Sequence, residues 1–317
     1  MKHWKRQALG LFLATAPGSL HAQTIDGNMV TPSLPLEFDR GRNTGVLDRP
    51  RPEYTTQGIP VGSFYFQPKI EVQSGYTSNV YQNTTDKGDG FVDFLPSAVL
   101  SSNWSRHELT LSGTGDIKRY FTEGRRNRDG WGATADGRYD IGGNVTLNAS
   151  ARVRKDAEPP TAAAYPTSAA QASQYVNTTV QVTPTATLGR IKLQGSYIFT
   201  NTSFDPVLTF AGTTINQSNR NSNTNSGIGR AEYAISPDTS IFVQGNYDRL
   251  DYVNQLTPGL PNRNANTYRA LVGATFDLAS LVRGAVGVGY MSHRYAGGLS
   301  PGFSDVRGAG GGVYFVS

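Results

Sequence analysis

The feature that most constrains the fold is the stretch 106–121, where apolar and polar side chains alternate with a period of two. Leu109, Leu111, Ile117 and Phe121 occupy odd positions, and the even positions between them are polar or charged. Successive side chains of a β-strand point to opposite faces, so this stretch predicts a strand with one apolar and one polar face. A strand covered by helices on both sides would be apolar on both faces. The length suits a tilted strand crossing a bilayer, which needs about 9–11 residues.

The same alternation recurs along the chain. Together with 106–121 it predicts twelve strands, at about 64–80, 91–104, 106–121, 128–141, 144–155, 174–187, 190–202, 223–235, 239–253, 266–277, 282–294 and from 305 to the end. The predicted fold class is all-β, an antiparallel transmembrane outer-membrane β-barrel of at least twelve strands. Its apolar side would face lipid and its polar side a wet interior.

The connections between these strands alternate in length. Those after even-numbered strands are tight, and those after odd-numbered strands are long and polar. Outer-membrane barrels have short periplasmic turns and long outer loops, so the pattern favours a barrel. A soluble β-sandwich or solenoid is the alternative, but it would not need this sidedness.

Composition excludes several other classes. Outside the start, no run of about 18 apolar residues would make a transmembrane helix. The chain has no cysteine, so disulfides, thiol nucleophiles and thiolate metal sites are excluded. Removing the three basic residues of positions 1–22 lowers the net charge from +5 to +2, which argues against a nucleic-acid partner.

The first 22 residues predict a secretory signal peptide. Lys2, Lys5 and Arg6 precede a short apolar stretch, and cleavage is expected near Ala22. Export combined with barrel strands implies the outer membrane of a Gram-negative-type bacterium.

A different kind of sequence follows, because residues 23–62 are polar and rich in Pro, Gly and Arg. They predict an extended periplasmic N-terminal segment, either a disordered tail or a plug for the barrel mouth. The predicted domains are therefore 1–22, 23–62 and a barrel at 63–317.

The end of the chain predicts an incomplete barrel. Residues 313–317 (VYFVS) resemble 232–237 (EYAISP), which lead into a tight turn and a further strand. We therefore expect further strands beyond Ser317, and a complete twelve-stranded barrel is the alternative.

The predicted inward face carries many charged residues of both signs. The candidate lumen-lining residues are Lys69, Glu71, Asp116, Lys118, Asp136, Arg138, Arg152, Arg154, Lys192, Arg230, Arg269 and Arg283. Burying such charges without partners would cost several kcal/mol each. Two hypotheses remain open: a salt-bridge scaffold, with pairs such as Asp116/Lys118 and Asp136/Arg138, or a pore favouring anionic or polyhydroxylated solutes. In the second case, Tyr120 and Phe242 would be inward aromatic rings on which sugars stack.

No catalytic or metal site is predicted, and no cofactor. After removal of the signal peptide, the remaining histidines are His107 and His293, which fall at opposite ends of the predicted strands. Carboxylates of the inward face lie among Arg and Lys, so ion pairing is their expected role.

Several short motifs resemble a family of uncharacterised outer-membrane β-barrel porins of exopolysaccharide-type operons. The motifs are RPRPEY at 49–54, GIPVGSF at 58–64, YTSNVY at 76–81, FLPS at 94–97, SRH at 105–107 and KRY at 118–120. The resemblance runs from about residue 47 to the end. It implies an outer-membrane barrel of a kind that is sometimes encoded beside polysaccharide synthesis and export genes, and it supplies no defined active site.

The sequence leaves three functional hypotheses. The leading one is a porin-like pore for polysaccharide or other polar solutes, where polysaccharide is implied by the resemblance alone. The second is a structural or adhesive surface barrel acting through the loops 203–222 and 254–265. The third is a barrel hydrolase that depends on His107 or His293. Expected partners are outer-membrane lipid, the barrel assembly machinery and polysaccharide export proteins of the periplasm.

Overall fold

The computed structural model of the chain describes residues 58–84, 86–254, 263–278, 282–296 and 305–316. The predicted signal peptide, and the predicted N-terminal segment up to residue 57, lie outside the described residues. The strands are β1 Ile59–Val61, β2 Phe64–Thr77, β3 Asp89–Ser102, β4 Glu108–Tyr120, β5 Arg128–Ile141, β6 Val145–Ala157, β7 Gln174–Leu188, β8 Ile191–Phe204, β9 Val207–Leu208, β10 Thr214–Ile215, β11 Ser222–Ser236, β12 Thr239–Tyr252, β13 Ala265–Leu278, β14 Val282–Tyr295 and β15 Val306–Val316. Short 3-10 turns lie at Gly124–Arg126 and Ser218–Arg220.

Thirteen of these strands form one antiparallel sheet in which each strand pairs with the next along the chain. The order runs from β1 through β8 to β11 and on to β15, and β9 pairs with β10 in a separate hairpin. All twelve predicted strands are confirmed, and β5 has the predicted bounds. Within the described ranges, no pairing joins β15 back to β1 or β2, so the sheet is open between its ends. The expected further strands stay a prediction.

The start of the sheet differs from the predicted layout by one short additional strand, β1. Ile59–Val61, inside the predicted N-terminal segment, pairs with the first residues of β2. The turn between these strands contains Gly62 at φ +60°, a conformation that glycine adopts without strain. The boundary between segment and sheet therefore falls at or before Gly58.

The predicted alternation of connections is confirmed. At one end of the sheet the strands are joined by turns of two to five residues, two of which use Gly142 and Gly189 at positive φ. At the other end the connections run from seven to seventeen residues. We call these the short-turn end and the long-loop end.

The burial pattern is the reverse of that in a soluble protein. One face of the sheet carries large apolar side chains that are exposed, including Ile70, Val72, Val243 and Val288 at 59–69%. The opposite face carries buried polar side chains, among them Gln194, Ser196, Gln244 and Asn246. A sheet in water would bury its apolar face, so this arrangement fits a strand wall with lipid outside and a polar interior. Among the described residues, no helix is long and apolar enough to cross a membrane.

An aromatic ring fills a row of glycines on the polar face. Phe242 of β12 lies opposite Gly273 of β13, which in turn lies opposite Gly287 of β14. A Cβ atom added at Gly273 would come within 2.7 Å of the Phe242 ring. The row therefore needs glycine, because the ring occupies the space that a side chain would take.

Part of the buried apolar core lies in the long loops. The connections after β2, β4, β6 and β8 pack on one another and bury Val80, Ala170, Val207 and the polar Gln217. A bridge from Ala169 to Thr209 joins two of these connections. We call this folded assembly the loop cap.

Candidate functional site

The candidate site is the polar wall, meaning the polar face of the strands β2 to β14. All twelve predicted lumen-lining residues have strand positions on this face, opposite the exposed apolar side chains. The side chain of Arg283 lies outside the described residues, although its backbone is paired with Asp277. Whether the other eleven line an aqueous lumen stays a prediction, and their contacts are as follows.

Most charges on β3 to β6 are paired, but with partners other than those expected from spacing. Lys118 Nζ lies 2.8 Å from Asp93 Oδ2, and both side chains are largely buried. Asp116 pairs with Arg128 at 3.0 Å. The predicted pair Asp116/Lys118 is therefore replaced by two cross-strand pairs, because Asp93 lies directly opposite Lys118 in the sheet.

The second expected pair is replaced in the same way. Arg138 Nη2 lies 3.0 Å from Asp140 Oδ2, whereas Asp136 accepts a hydrogen bond from the Ser150 hydroxyl at 2.7 Å. Further along, Arg154 pairs with Asp156 at 2.7 Å. Near the start, Lys69 pairs with Glu71 at 2.9 Å, and both are exposed.

A neutral band follows on β7 and on the part of β8 beyond Lys192. The Thr183 and Ser196 hydroxyls lie 2.9 Å apart, and Gln181 donates to both. Asn177 donates to Thr202 at 3.0 Å. This band presents hydroxyl and amide groups, which hydrogen-bond to neutral polar solutes as well as to one another.

Arg230 forms a buried cluster on β11 and β12. Its guanidinium pairs with Glu232 at 3.2 Å and lies 3.9 Å from the centroid of the Phe242 ring. The Ser240 hydroxyl donates to Glu232 and lies 2.6 Å from the Thr275 hydroxyl. The expectation that Phe242 offers its ring to a sugar is wrong, because Arg230 and the neighbouring glycines cover it.

The other proposed stacking ring is also engaged. Tyr120 lies 5.9 Å from Phe91 between ring centroids, and the Lys118 ammonium lies 4.0 Å from the Phe91 ring. Further round the wall, Arg269 pairs with Asp248 at 2.9 Å, and Lys192 lies directly opposite Glu232 in the sheet.

Arg152 differs from the other arginines of the wall. It is exposed, and within the part of the chain that the structure describes it has no hydrogen-bond or ion-pair partner. It lines a cavity of about 400 Å³ together with Thr114, Asp116, Thr134 and Arg154. An adjacent cavity of about 370 Å³ is lined by residues such as Glu108 and Asn148. This part of the wall can therefore accept an anionic or hydroxylated group.

The histidines do not form a catalytic arrangement. His107 precedes β4 at the short-turn end, where its ring stacks on Tyr139 at 4.3 Å. His293 lies near the long-loop end, with Nδ1 2.7 Å from the Thr267 hydroxyl. The described residues contain no group of three His, Asp or Glu side chains that could hold a metal ion.

The loop cap holds polar residues that the sequence did not single out. Arg220 forms two hydrogen bonds to Glu158, at 2.5 and 3.0 Å, and lies 3.8 Å from the Phe204 ring. Arg126 donates to Tyr165 and to the Gln171 carbonyl. No spacing rule links these residues, because Glu158 and Arg220 are 62 positions apart.

A second group joins the connections after β2 and β4 within the loop cap. The Tyr81 hydroxyl donates to Glu123 at 2.6 Å, and Lys87 forms an ion pair with the same carboxylate. The Lys87 ammonium and the Tyr81 hydroxyl hold the pKa of Glu123 below its usual range. Burial and the contact with Glu123 raise the pKa of Tyr81 to about 12, so Tyr81 remains a neutral donor.

Comparison with known proteins gives one family and several similar folds. Residues 51–309 match the family described as "Putative beta-barrel porin 2". No curated protein matches the sequence significantly.

Three solved structures are similar at low identity. They are "Outer-membrane expressed OmpT of Vibrio cholerae" (9% identity, 81% of this chain and 99% of that chain, TM-score 0.40), a "NanC porin structure in rhombohedral crystal form" (10%, 78% and 99%, 0.34) and the "Translocator domain of autotransporter NalP from Neisseria meningitidis" (11%, 80% and 87%, 0.32).

Proposed function

Because the chain belongs to the beta-barrel porin 2 family, we propose that it forms a pore in the outer membrane through which polar solutes pass. The observation that carries this proposal is the reversed burial of the sheet, with apolar side chains exposed and polar side chains buried. In an outer-membrane barrel the short turns lie in the periplasm, which puts the loop cap outside. The role is non-enzymatic, and lipid is the immediate partner.

The polar wall favours hydroxylated and anionic solutes over cations. Its charges on β3 to β6 are mostly paired, so they set no strong field of one sign. Arg152 adds a positive charge that has no described partner, beside the hydroxyls of Thr114 and Thr134. The neutral band of β7 and β8 offers further hydrogen bonds. Such a surface suits an acidic or neutral sugar chain.

We propose more specifically that the pore exports polysaccharide. This proposal is supported by the resemblance to porins of exopolysaccharide-type operons, and it implies periplasmic export proteins as partners. We further propose that the predicted signal peptide directs secretion and that the barrel assembly machinery inserts the barrel. The segment 23–57 would then plug the periplasmic mouth of the barrel or guide solutes into it.

Planar-bilayer conductance tests the pore. The purified protein without its signal peptide is compared with a variant that also lacks residues 23–57. We expect steady conductance that rises when the segment is removed. If neither protein conducts, although both show the heat-modifiable migration of a folded barrel, the pore proposal fails.

A second candidate function, a structural or adhesive surface barrel, is favoured by the loop cap. The connections after β2, β4, β6 and β8 bury their own side chains and ion pairs, so they form a defined surface. Most of the other predicted loop, 254–265, lies outside the described residues. Deleting residues 206–216 tests this candidate. Lost surface attachment with unchanged conductance would support it, and unchanged attachment would count against it.

A further inference from the structure

Two arginines lie on the apolar face of the sheet at its long-loop end. Arg307 of β15 lies opposite Ser292 of β14, and Arg294 lies two residues beyond Ser292. Ser292 follows Val286, Val288 and Tyr290 on the apolar face, so both arginines point outward. Diagonal neighbours in a sheet are about 7–8 Å apart, which allows both guanidinium groups to reach one small anion.

Aromatic residues mark the depth of this site. Tyr247, Tyr268 and Tyr290 are exposed on the apolar face. In the register of the sheet, Tyr268 and Tyr247 lie level with Ser292 and Arg307, and Tyr290 lies two positions nearer the middle of β14. The Tyr247 and Tyr268 rings are 5.1 Å apart, and the Tyr247 hydroxyl donates to Asn266. Tyrosine is enriched where a membrane's hydrocarbon meets its headgroups, so the arginines lie at headgroup depth.

Other outward arginines at the long-loop end have carboxylate partners. Arg249 lies 2.8 Å from Asp251, and Arg119 lies 2.6 Å from Asp129. Arg294 and Arg307 differ: among the described residues, neither has a carboxylate within ion-pair distance. Arg294 Nε instead donates to the buried Ser292 hydroxyl at 3.3 Å, which orients its guanidinium.

The adjacent loops offer no missing partner. The sequences 253–264 and 296–304 contain no Asp or Glu. Asp305 is the nearest acid along the chain, and its carboxylate accepts a hydrogen bond from the Tyr295 backbone at 3.2 Å. Among the described residues and in these adjacent loop sequences, the two positive charges therefore have no carboxylate partner, and they can bind an external anion.

We propose that Arg294 and Arg307 bind a phosphate group of the phosphorylated glycolipid in the outer leaflet. The inference rests on the membrane placement given under the proposed function. Arginine suits this role because its planar guanidinium binds phosphate oxygens through two parallel hydrogen bonds. The apolar side chains below would contact the acyl chains of the same lipid.

The test compares the purified barrel in detergent with three variants: Arg294→Ala/Arg307→Ala, Arg294→Lys/Arg307→Lys and Arg119→Ala. The last is the matched control, because Arg119 is an outward arginine at the same end that already has a carboxylate partner. The readout is the shift in unfolding temperature on titration with phosphorylated lipid A, its dephosphorylated form, or inorganic phosphate.

We expect the phosphorylated lipid alone to stabilise the wild type and Arg119→Ala. The double alanine variant should bind roughly tenfold or more weakly, and the lysine variant should fall between. An equal response in the double alanine variant, or an equal response to the dephosphorylated lipid, would overturn the proposal. Equal stabilisation by inorganic phosphate at the same concentration would also overturn it, because the two arginines would then bind free phosphate and would not require the lipid.

This result is separable from the pore proposal. If the barrel binds the lipid but does not conduct, the lipid site is supported and the pore proposal is rejected. If the barrel conducts but the phosphorylated lipid does not change its unfolding temperature, the pore proposal is supported and the lipid site is rejected.

Discussion

Arg220 Nη2 lies 2.5 Å from Glu158 Oε1. This ion pair joins the connection after β8, which contains Arg220, to the connection after β6, which begins at Glu158. Both side chains are largely buried, and Gln217 accepts a further hydrogen bond from Arg220. Contacts of this kind add to the buried apolar contacts of the loop cap and hold its loops together. The cap is therefore a folded surface at the long-loop end.

Replacing Glu158 by Gln tests that contact. Removing one partner of a buried ion pair leaves the other charge without compensation, at a cost of about 3 kcal/mol. We expect faster hydrogen exchange in 158–173 and 205–221, with unchanged exchange in the middle of the strands. The control is Glu71→Gln, because the Lys69–Glu71 pair is exposed and should contribute little. Unchanged exchange in the two loops would show that the pair does not hold the cap.

The contact between Glu123, Lys87 and Tyr81 predicts a dependence on pH. The folded state lowers the pKa of Glu123, so it favours the ionised carboxylate. Its contribution to stability is complete above the ordinary Glu pKa of about 4.3 and is lost as the pH falls through the lowered value. Acidification below about pH 4 should therefore loosen 78–88 relative to neutral pH. Protease cleavage in this loop measures the effect.

The matched variant for this prediction is Glu123→Gln. It should be cleaved at one rate across the acidic range, because the titrating group is absent. An equal acid response in wild type and variant would assign the pH dependence to another group.

Arg152 and Arg230 are expected to differ in what they affect. Arg230 is buried and paired with Glu232, so Arg230→Ala should lower the free energy of unfolding by about 3 kcal/mol. Arg152 is exposed beside a cavity, so Arg152→Ala should change stability by less than about 0.5 kcal/mol. It should instead reduce the permeability ratio of anions to cations, measured as a reversal potential across a salt gradient. A large loss of stability with unchanged selectivity in Arg152→Ala would contradict this assignment.

The strands could be predicted from the sequence because a period of two is a local property. The alternation of Leu109 and Leu111 with polar residues indicates the apolar face of their strand, whichever strands lie beside it. The alternation of turn and loop lengths was also visible, since Gly142 and Gly189 mark tight turns that need positive φ.

The partners of the charged residues could not be predicted in the same way. Asp116 and Lys118 share a face, but the register of the sheet brings Asp93 opposite Lys118. The availability of Phe242 likewise depended on Arg230, which is on another strand. The loop cap depended on contacts between loops that are far apart in the sequence, such as Tyr81 with Phe210, whose ring centroids are 5.1 Å apart.

We propose that the apolar face of the sheet meets lipid and the polar face meets water. The chain has no cysteine, so a single cysteine can carry a nitroxide spin label at any site. Leu111 and Ser112 are successive residues of β4; the first is exposed on the apolar face and the second lines the cavity beside Arg152. The most direct measurement is the accessibility of labels at Leu111→Cys and Ser112→Cys to oxygen and to a water-soluble nickel complex, in lipid vesicles. We expect the label at 111 to be more accessible to oxygen and the label at 112 to be more accessible to the nickel complex. Equal access of the nickel complex to both positions would contradict it.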